Sequence, residues 1–199
     1  MPLTATLIHI RHGQTDWNAE ARLQGGQDIP LNDLGRSQAA RNGAALGAFL
    51  AAEGIDPEGL DWVASPLSRA RETMEIVRGA MGLDPAAYRL EPVLKEISFG
   101  RWEGFTIPEL KLTDPEAVAR RRADKWGFVP PDGESYRMLS DRVAGWLDGV
   151  GRDSVVVAHG GILRVLHGLL AGVPAAELPL MEVPQDRLCR FAGGRVDWI

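Results

Sequence analysis

The chain has 199 residues, 45% of them hydrophobic, and a formal net charge of -5 at pH 7. This length allows one sizeable core, so we expect a single domain over residues 1–199. The acidic balance argues against a nucleic-acid partner, whose binding surface would be basic and clustered. No run of about 18 apolar residues is present, and the first residues lack signal-peptide features. The sequence therefore predicts a cytoplasmic protein with no membrane association.

The first part of the sequence predicts two strand-and-helix units. Ala5–Ile10 is a short apolar run typical of a strand, and Asn32 can cap a helix that extends to about Ala52. Leu60–Ala64 predicts a second strand. The pair Ser65-Pro66 is typical of a capping serine followed by proline at the first helical position, so a further helix is expected there.

The middle of the sequence is less regular. Tyr88–Leu90 and Val93–Leu94 are candidates for short extended segments. Thr113–Glu116 has the pattern of a capping box and predicts a helix directed toward Trp126. Ser135 can cap the helix after it.

The last part returns to alternation. Ser154–Ala158 predicts a strand, Ile162–Leu170 a helix, and Leu188–Phe191 with Val196–Ile199 an edge hairpin. This hairpin could pair with a second copy, so a homodimer is possible. Strands that alternate with helices indicate an α/β protein with a largely parallel sheet covered on both faces.

Two histidines stand at the ends of predicted strands. Arg11-His12-Gly13 follows the first strand, and His159-Gly160-Gly161 follows the predicted strand Ser154–Ala158. Open α/β sheets bind ligands where the carboxyl ends of the strands meet. We therefore expect both histidines at one site.

The residues around His12 suit phosphoryl chemistry. A histidine nucleophile needs a neutral ring with one nitrogen free, and a neighbouring positive charge such as Arg11 disfavours the imidazolium form. The planar guanidinium fork also matches phosphate oxygens. Thr15 and Asn18 can donate further hydrogen bonds without adding charge.

Two more residues complete the candidate site. Arg69 falls in the first turn of a predicted helix, where anions are already favoured. Glu96 lies in a stretch dense in aromatic residues and glycine, where a protonated carboxyl can act as a general acid. Each residue alone would more often be an ordinary surface or core residue, so the prediction depends on the combination.

The combination resembles the histidine phosphatase superfamily, in its phosphoglycerate mutase-like branch. The resemblance covers the chain from Leu7 to about Leu170. It rests on an ordered set of short motifs: Arg11-His12-Gly13-Gln14-Thr15 with Trp17-Asn18, Gln24-Gly25, Gly35 with Gln38-Ala39, Ser65-Pro66-Leu67 through Arg69-Ala70 to Thr73, Glu96 with Gly100 and Trp102-Glu103-Gly104, Gly133-Glu134-Ser135, and Ala158-His159-Gly160-Gly161.

The resemblance implies a three-layer α/β/α sandwich with a central, mainly parallel sheet. It implies that His12 becomes phosphohistidine, that Glu96 is the general acid and base, and that neither a metal nor an organic cofactor is needed. The implied phosphate and substrate pocket consists of Arg11, Thr15, Asn18, Gln24, Gly25, Arg69, His159 and Gly160.

The implied activity is that of a phosphoric monoester hydrolase acting on a small phosphorylated metabolite. Two alternatives remain: a 2,3-bisphosphoglycerate-dependent phosphoglycerate mutase, and a catalytically idle binding module of the same fold. Only about thirty residues separate Gly104 from Gly133, which is short for the covering segment of the mutases. The basic run Arg120–Arg122 with Lys125 is interpreted as a solvated helix face. Arg120–Arg122, before Pro130-Pro131, also resembles the basic residues by which mutases hold a second phosphate, which is the feature that counts for the mutase.

Overall fold

The computed structural model describes residues 5–199, which form a six-stranded sheet with helices on both faces. The strands run in the order β3-β2-β4-β1-β5-β6. The first four are mutually parallel, whereas β5 is antiparallel to β1 and β6 is antiparallel to β5. Their bounds are β1 Leu7–Arg11, β2 Asp61–Ala64, β3 Arg89–Leu90, β4 Ser154–Ala158, β5 Leu188–Ala192 and β6 Arg195–Trp198.

Seven α-helices and four short 3₁₀ turns occur in the described part of the chain. None of these helices is both long enough and apolar enough to cross a membrane. The α-helices are α1 Asp16–Ala19, α2 Asp33–Glu53, α3 Ser68–Ala80, α4 Ile107–Thr113, α5 Pro115–Ala123, α6 Tyr136–Leu147 and α7 Gly160–Ala171. The 3₁₀ turns are Pro57–Gly59, Pro92–Leu94, Gly100–Trp102 and Leu178–Leu180.

Side chains that alternate along the central strands form two separate cores. Ile8 and Val157 face helices α2 and α3, where Leu46 and Met74 are fully buried against them. The alternate strand residues face α6 and α7, as Val156 does beneath Leu139 and Ile162. This period of two confirms the predicted α/β fold with its helix–sheet–helix layers.

Helix α2 begins and ends where the sequence predicts. The Asn32 side chain accepts a hydrogen bond from the Gly35 amide, and Gly54 closes the helix in the left-handed conformation. The edge hairpin of β5 and β6 is also confirmed.

The start of α3 was predicted wrongly. The helix begins at Ser68, and Ser65 and Pro66 lie in the loop before it. The Asp28 carboxylate accepts a hydrogen bond from the Ser68 amide at 2.7 Å and so serves the exposed helix end. The Ser65 hydroxyl instead contacts a residue distant in sequence, which is described below.

Two predictions for the middle of the chain were also wrong. Val93 and Leu94 lie in a 3₁₀ turn rather than in an extended segment. A helix that the sequence did not predict, α4, occupies residues 107–113 and ends at Thr113. Asp114 therefore caps α5, through the Ala117 amide, and α5 ends at Ala123, short of Trp126. Two short helices with a single residue between them blur the apolar spacing that identifies each one.

The loop after β1 is held against the start of α2 by two glycines. A Cβ on Gly13 would clash with the backbone of Gly35, and a Cβ on Gly35 would clash with the backbone of Gln14. This close approach of two backbones fixes the path of the chain immediately after His12.

We predict that Gly35→Ala destabilises the protein by about 1–3 kcal/mol, since the methyl group must displace backbone atoms. Gly47→Ala in the same helix is the matched control, because its nearest non-local neighbour is 3.5 Å away. It should raise stability by about 0.5–1 kcal/mol through helix propensity. Urea unfolding measures both, and equal effects would contradict the proposed backbone contact.

Candidate active site

The parallel pairing of β1 with β4 brings the two histidines together. Arg11 is opposite Ala158 in the register, and the His12 amide donates to the Ala158 carbonyl at 2.9 Å. The chain leaves the sheet at the same height on both strands. The rings of His12 and His159 consequently meet edge to face, with centroids 5.1 Å apart. This confirms the expected meeting of the two strand ends.

His12 has one free ring nitrogen. Its side chain is 3% exposed, and Nδ1 lies 2.7 Å from the Gly13 carbonyl oxygen. A carbonyl oxygen can only accept, so Nδ1 carries the proton and Nε2 keeps its lone pair. Burial, followed by the charges of Arg69 and Arg11, holds the pKa of His12 well below 6.5. The ring is therefore neutral and chemically available at Nε2.

Arg69 is the most deeply buried charged side chain of the site, at 1% exposure. Its guanidinium donates to the Gln27 carbonyl at 2.7 Å and to the Gly25 carbonyl at 2.9 Å, which anchors it to the neighbouring loop. Its Nε has no partner among residues 5–199. Burial lowers the pKa of Arg69, but an arginine stays charged at neutral pH.

Arg11 approaches from β1. It donates to the Val183 carbonyl, and its Nε also lacks a partner among the described residues. Burial lowers the pKa of Arg11 to about 10, against the raising influence of Glu96. Two arginines with buried, unpartnered N–H groups thus lie close to one neutral imidazole, a setting that suits an anion rich in acceptor oxygens.

Glu96 is held by backbone amides. The Gly161 amide, at the start of α7, lies 3.0 and 3.2 Å from the two carboxyl oxygens, and the Ile97 amide lies 2.9 Å from one of them. A Cβ on Gly161 would clash with Glu96, so this approach requires glycine. The carboxyl group is fixed beside the cavity together with His12 and the arginines.

The structure separates Thr15 from the other predicted phosphate donors. Thr15 is fully buried, and its hydroxyl caps the Asn18 amide and accepts a hydrogen bond from Gln24 at 2.7 Å. It therefore does not line the cavity, whereas Asn18, Gln24 and Gly25 do. Thr15 is the N-cap of α1, so its hydroxyl supports neighbouring residues and does not face a ligand.

His159 is fully buried, with its ring centroid 5.1 Å from that of His12, and it is not among the residues that line the cavity, although its neighbour Gly160 is. Its Nε2 lies 2.7 Å from the Ser65 hydroxyl, and its Nδ1 has no partner among the described residues. Burial, then the charges of Arg69 and His12, hold the pKa of His159 well below 6.5. Both active-site histidines are therefore neutral.

The site opens into a cavity of about 730 Å³. No three His, Cys, Asp or Glu side chains between residues 5 and 199 converge so as to hold a metal ion. The cavity is lined by Arg11, His12, Asn18, Arg22, Leu23, Gln24, Gly25, Arg69, Glu96, Ile97, Phe99, Tyr136, Gly160, Arg164, Glu182, Val183, Pro184, Asp186 and Arg187.

Two residues that hold the site in place were not found by sequence reasoning. Gln185, in the segment before β5, donates to the His12 carbonyl at 3.0 Å and to the Asn18 side-chain oxygen at 3.2 Å. Arg164 donates to the Met181 carbonyl and holds the same segment. No motif or periodicity marks either residue, because the contacts connect distant parts of the chain.

The basic run on α5 is only partly a solvated face. Arg120 and Arg122 are exposed as expected, but Arg121 is partly buried, with its guanidinium 6.0 Å from the ring centroid of Phe99. Burial lowers the pKa of Arg121, while Tyr136 raises it and Arg164 lowers it further. One arginine of the run thus turns toward the outer wall of the cavity because helical spacing separates it from its neighbours.

A three-layer α/β fold with two arginines around a neutral imidazole at the strand ends suits a protein that binds phosphoryl groups. The family model described as histidine phosphatase superfamily (branch 1) matches residues 7–198. The chain belongs to that family.

Relatives of known name support this placement. The chain is 32% identical over 188 residues to glucosyl-3-phosphoglycerate phosphatase of Mycobacterium tuberculosis, covering 88% of this chain and 79% of that protein. It is 32% identical over 173 residues to phosphoglycerate mutase-like protein 4 of Arabidopsis thaliana, covering 82% and 70%.

Solved structures agree with the sequence relatives. The α-ribazole phosphatase of Shigella flexneri superposes with a TM-score of 0.78 at 27% identity, over 93% of this chain and 89% of that one. A mycobacterial glucosyl-3-phosphoglycerate phosphatase in complex with VO3 gives 0.78 at 29% identity, over 98% and 96%. The predicted family, fold class and enzyme class, a phosphoric monoester hydrolase, are confirmed.

A further histidine lies under the site in β1. His9 is fully buried, and neither ring nitrogen has a partner within residues 5–199. Burial, then His167 and Arg11, lowers the pKa of His9 from 6.5 to about 3. The folded protein holds His9 neutral, whereas the unfolded chain protonates it below about pH 6.5.

We predict that stability is greatest above pH 6.5 and falls as the pH decreases toward 3, because the unfolded state then binds more protons. Each buried histidine contributes a slope of at most about 1.4 kcal/mol per pH unit. In His9→Leu, the loss of unfolding free energy between pH 7 and pH 5 should be smaller. Ile10→Val in the same strand is the control and should lower stability equally at both values. Identical pH dependence in His9→Leu and wild type would refute the conclusion that the folded protein holds His9 neutral.

Proposed function

We propose that the protein is a phosphomonoesterase that hydrolyses a small phosphorylated metabolite through a phosphohistidine on His12. The observation that carries this proposal is the state of His12: a neutral ring whose Nδ1 is held by the Gly13 carbonyl, whose Nε2 is left free, and which lies close to the charges of Arg69 and Arg11. A free imidazole nitrogen against paired guanidinium groups is suited to attack on a phosphoryl group.

The first step transfers the phosphoryl group. The Nε2 lone pair of His12 forms the N–P bond while the ester P–O bond breaks, and protonated Glu96 gives its proton to the leaving oxygen. Arg11 and Arg69 balance the charge on the phosphoryl oxygens. The Nδ1–H bond to the Gly13 carbonyl holds the ring as it becomes positively charged.

The second step releases phosphate. Water attacks phosphorus, the Glu96 carboxylate takes a proton from that water, and the N–P bond breaks to return neutral His12 and inorganic phosphate. Asn18, Gln24, Gly25 and Gly160 line the same cavity.

Hydrolysis is favoured over mutase chemistry by the short segment between Gly104 and Gly133. Between Gly104 and Gly133 the chain forms the two short helices α4 and α5. A site that is not sealed lets water reach the phosphohistidine. The relative named as phosphoglycerate mutase-like makes the mutase the second candidate. The half-buried Arg121 favours it, because a mutase needs a basic residue to hold a second phosphate.

The outer wall suggests the kind of metabolite. Arg164 donates to the Tyr136 hydroxyl at 3.3 Å, and Arg121 lies near both. Arg164 makes no ion pair with a described carboxylate, so its charge remains available to a ligand. We therefore propose a substrate whose alcohol portion carries a second anionic group.

The test of the function is phosphate release without added metal from p-nitrophenyl phosphate, sugar phosphates, 3-phosphoglycerate, nucleotides and a ribazole phosphate. We predict turnover that falls by roughly a thousandfold or more in His12→Ala. Arg69→Gln should also be strongly impaired, while Arg71→Gln, exposed on the same helix, serves as its matched control.

Activity retained in His12→Ala would refute the nucleophile. Absence of phosphate release in wild type would refute the phosphatase. Isomerisation of 3-phosphoglycerate stimulated by 2,3-bisphosphoglycerate would then identify a mutase, and its absence would leave a binding module of the same fold.

The role of Glu96 is tested by leaving groups. We predict that Glu96→Gln still forms phosphohistidine rapidly from p-nitrophenyl phosphate, whose leaving group needs no proton, so a first-turnover burst of nitrophenolate remains. Phosphoryl transfer from an alkyl phosphate and hydrolysis of the intermediate should both slow by about 10²–10⁴-fold. Rapid-quench kinetics measures each step. Glu116→Gln, on exposed α5 surface, is the control, and equal loss with both ester types would contradict general acid catalysis.

A further inference from the structure

Ser65 lies at the end of β2 and contacts the second histidine of the site. Its amide continues the ladder to β4 by donating to the Val157 carbonyl at 3.0 Å. Its hydroxyl oxygen is 2.7 Å from His159 Nε2, and neither residue has exposed surface. A short contact between two fully buried polar groups must be a hydrogen bond with a defined direction.

The direction follows from the partners of the hydroxyl. Within residues 5–199, the Ser65 oxygen has one other partner, the Leu67 amide at 3.4 Å. An amide only donates, so it uses a lone pair of the oxygen and leaves the hydroxyl hydrogen unplaced. Among the described residues, His159 Nε2 is the only acceptor within hydrogen-bond reach of the hydroxyl. Ser65 therefore donates to Nε2, since otherwise a buried hydroxyl hydrogen would be left unsatisfied.

This direction determines where the histidine carries its own proton. Burial, with Arg69 and His12 nearby, lowers the pKa of His159 and keeps the ring neutral, so it holds a single proton. Because Nε2 accepts from Ser65, that proton is on Nδ1. His159 Nδ1–H is then a buried donor without a partner among the described residues.

We propose that Ser65 is a positioning residue that holds His159 in the Nδ1-protonated tautomer, so that Nδ1–H donates to a phosphoryl oxygen. The identity of that acceptor rests on the proposed function, whereas the tautomer does not. In His12 the same nitrogen is protonated, but there the Gly13 carbonyl accepts from Nδ1, and the two rings serve different purposes. In His12 the free Nε2 attacks, and in His159 the protonated Nδ1 binds.

The tautomer can be read directly by two-bond ¹H–¹⁵N NMR on protein labelled in its four histidines, with His159→Gln used to assign the signals. In wild type at neutral pH, His159 should show a protonated Nδ1 and an unprotonated Nε2. In Ser65→Ala the preference should be lost, and a protonated Nε2 should become populated. A wild-type His159 protonated on Nε2, or a tautomer unchanged in Ser65→Ala, overturns the proposal.

Inorganic phosphate tests the donor. Its addition should shift the His159 Nδ1 signal in wild type, and its inhibition constant should rise by about ten- to a hundredfold in Ser65→Ala, as for the loss of a hydrogen bond to a charged group. Ser154→Ala is the matched control, because this buried serine bonds the Arg152 carbonyl at the opposite end of β4. Equal phosphate affinity in wild type and Ser65→Ala counts against the proposal.

The two proposals fail separately. A protein that binds phosphate with the expected tautomer but hydrolyses no ester refutes the phosphatase and leaves the role of Ser65 intact. A phosphatase whose His159 tautomer does not depend on Ser65 refutes the role of Ser65 and leaves the proposed function intact.

Discussion

The site depends on one constraint, the parallel hydrogen-bond register between β1 and β4. The His12 amide donates to the Ala158 carbonyl, so the two strands end together and each delivers a histidine to the same point. A shift of the register by one residue would exchange the faces of every side chain on the strand and separate the rings. Beyond His12, the backbones around Gly13 and Gly35 approach so closely that a Cβ at either position would clash with backbone atoms. This close approach sets the direction of the chain there.

Burial converts this geometry into chemistry. Charged imidazole is disfavoured by burial and by the nearby charges of Arg11 and Arg69, so His12 and His159 are both neutral. A neutral imidazole has one proton, and its location decides whether the ring attacks or donates. Backbone and hydroxyl partners make that choice here, through Gly13 for one ring and Ser65 for the other. The arginines remain charged and supply the attraction for an anion.

Much of the fold was predictable because it is encoded locally. The apolar runs of β1 and β4, the Asn32 cap and the left-handed Gly54 act over a few residues. The middle of the chain was not, since α4 and α5 are too short and too closely joined for their apolar spacing to separate them. The local pattern Ser65-Pro66 predicts a helix cap, but in the structure the Ser65 hydroxyl bonds His159, 94 positions away.

The sequence by itself determined the alternation of strands and helices, the family, and the candidate residues that follow strand ends. Motif spacing is enough for these, because a residue next to a strand end is placed by that strand. Only the tertiary structure decided that Thr15 is enclosed, that Arg121 turns inward, and that Gln185 holds His12 and Asn18. Such contacts join residues up to 173 positions apart. They arise from packing between layers, which leaves no periodic trace in the sequence.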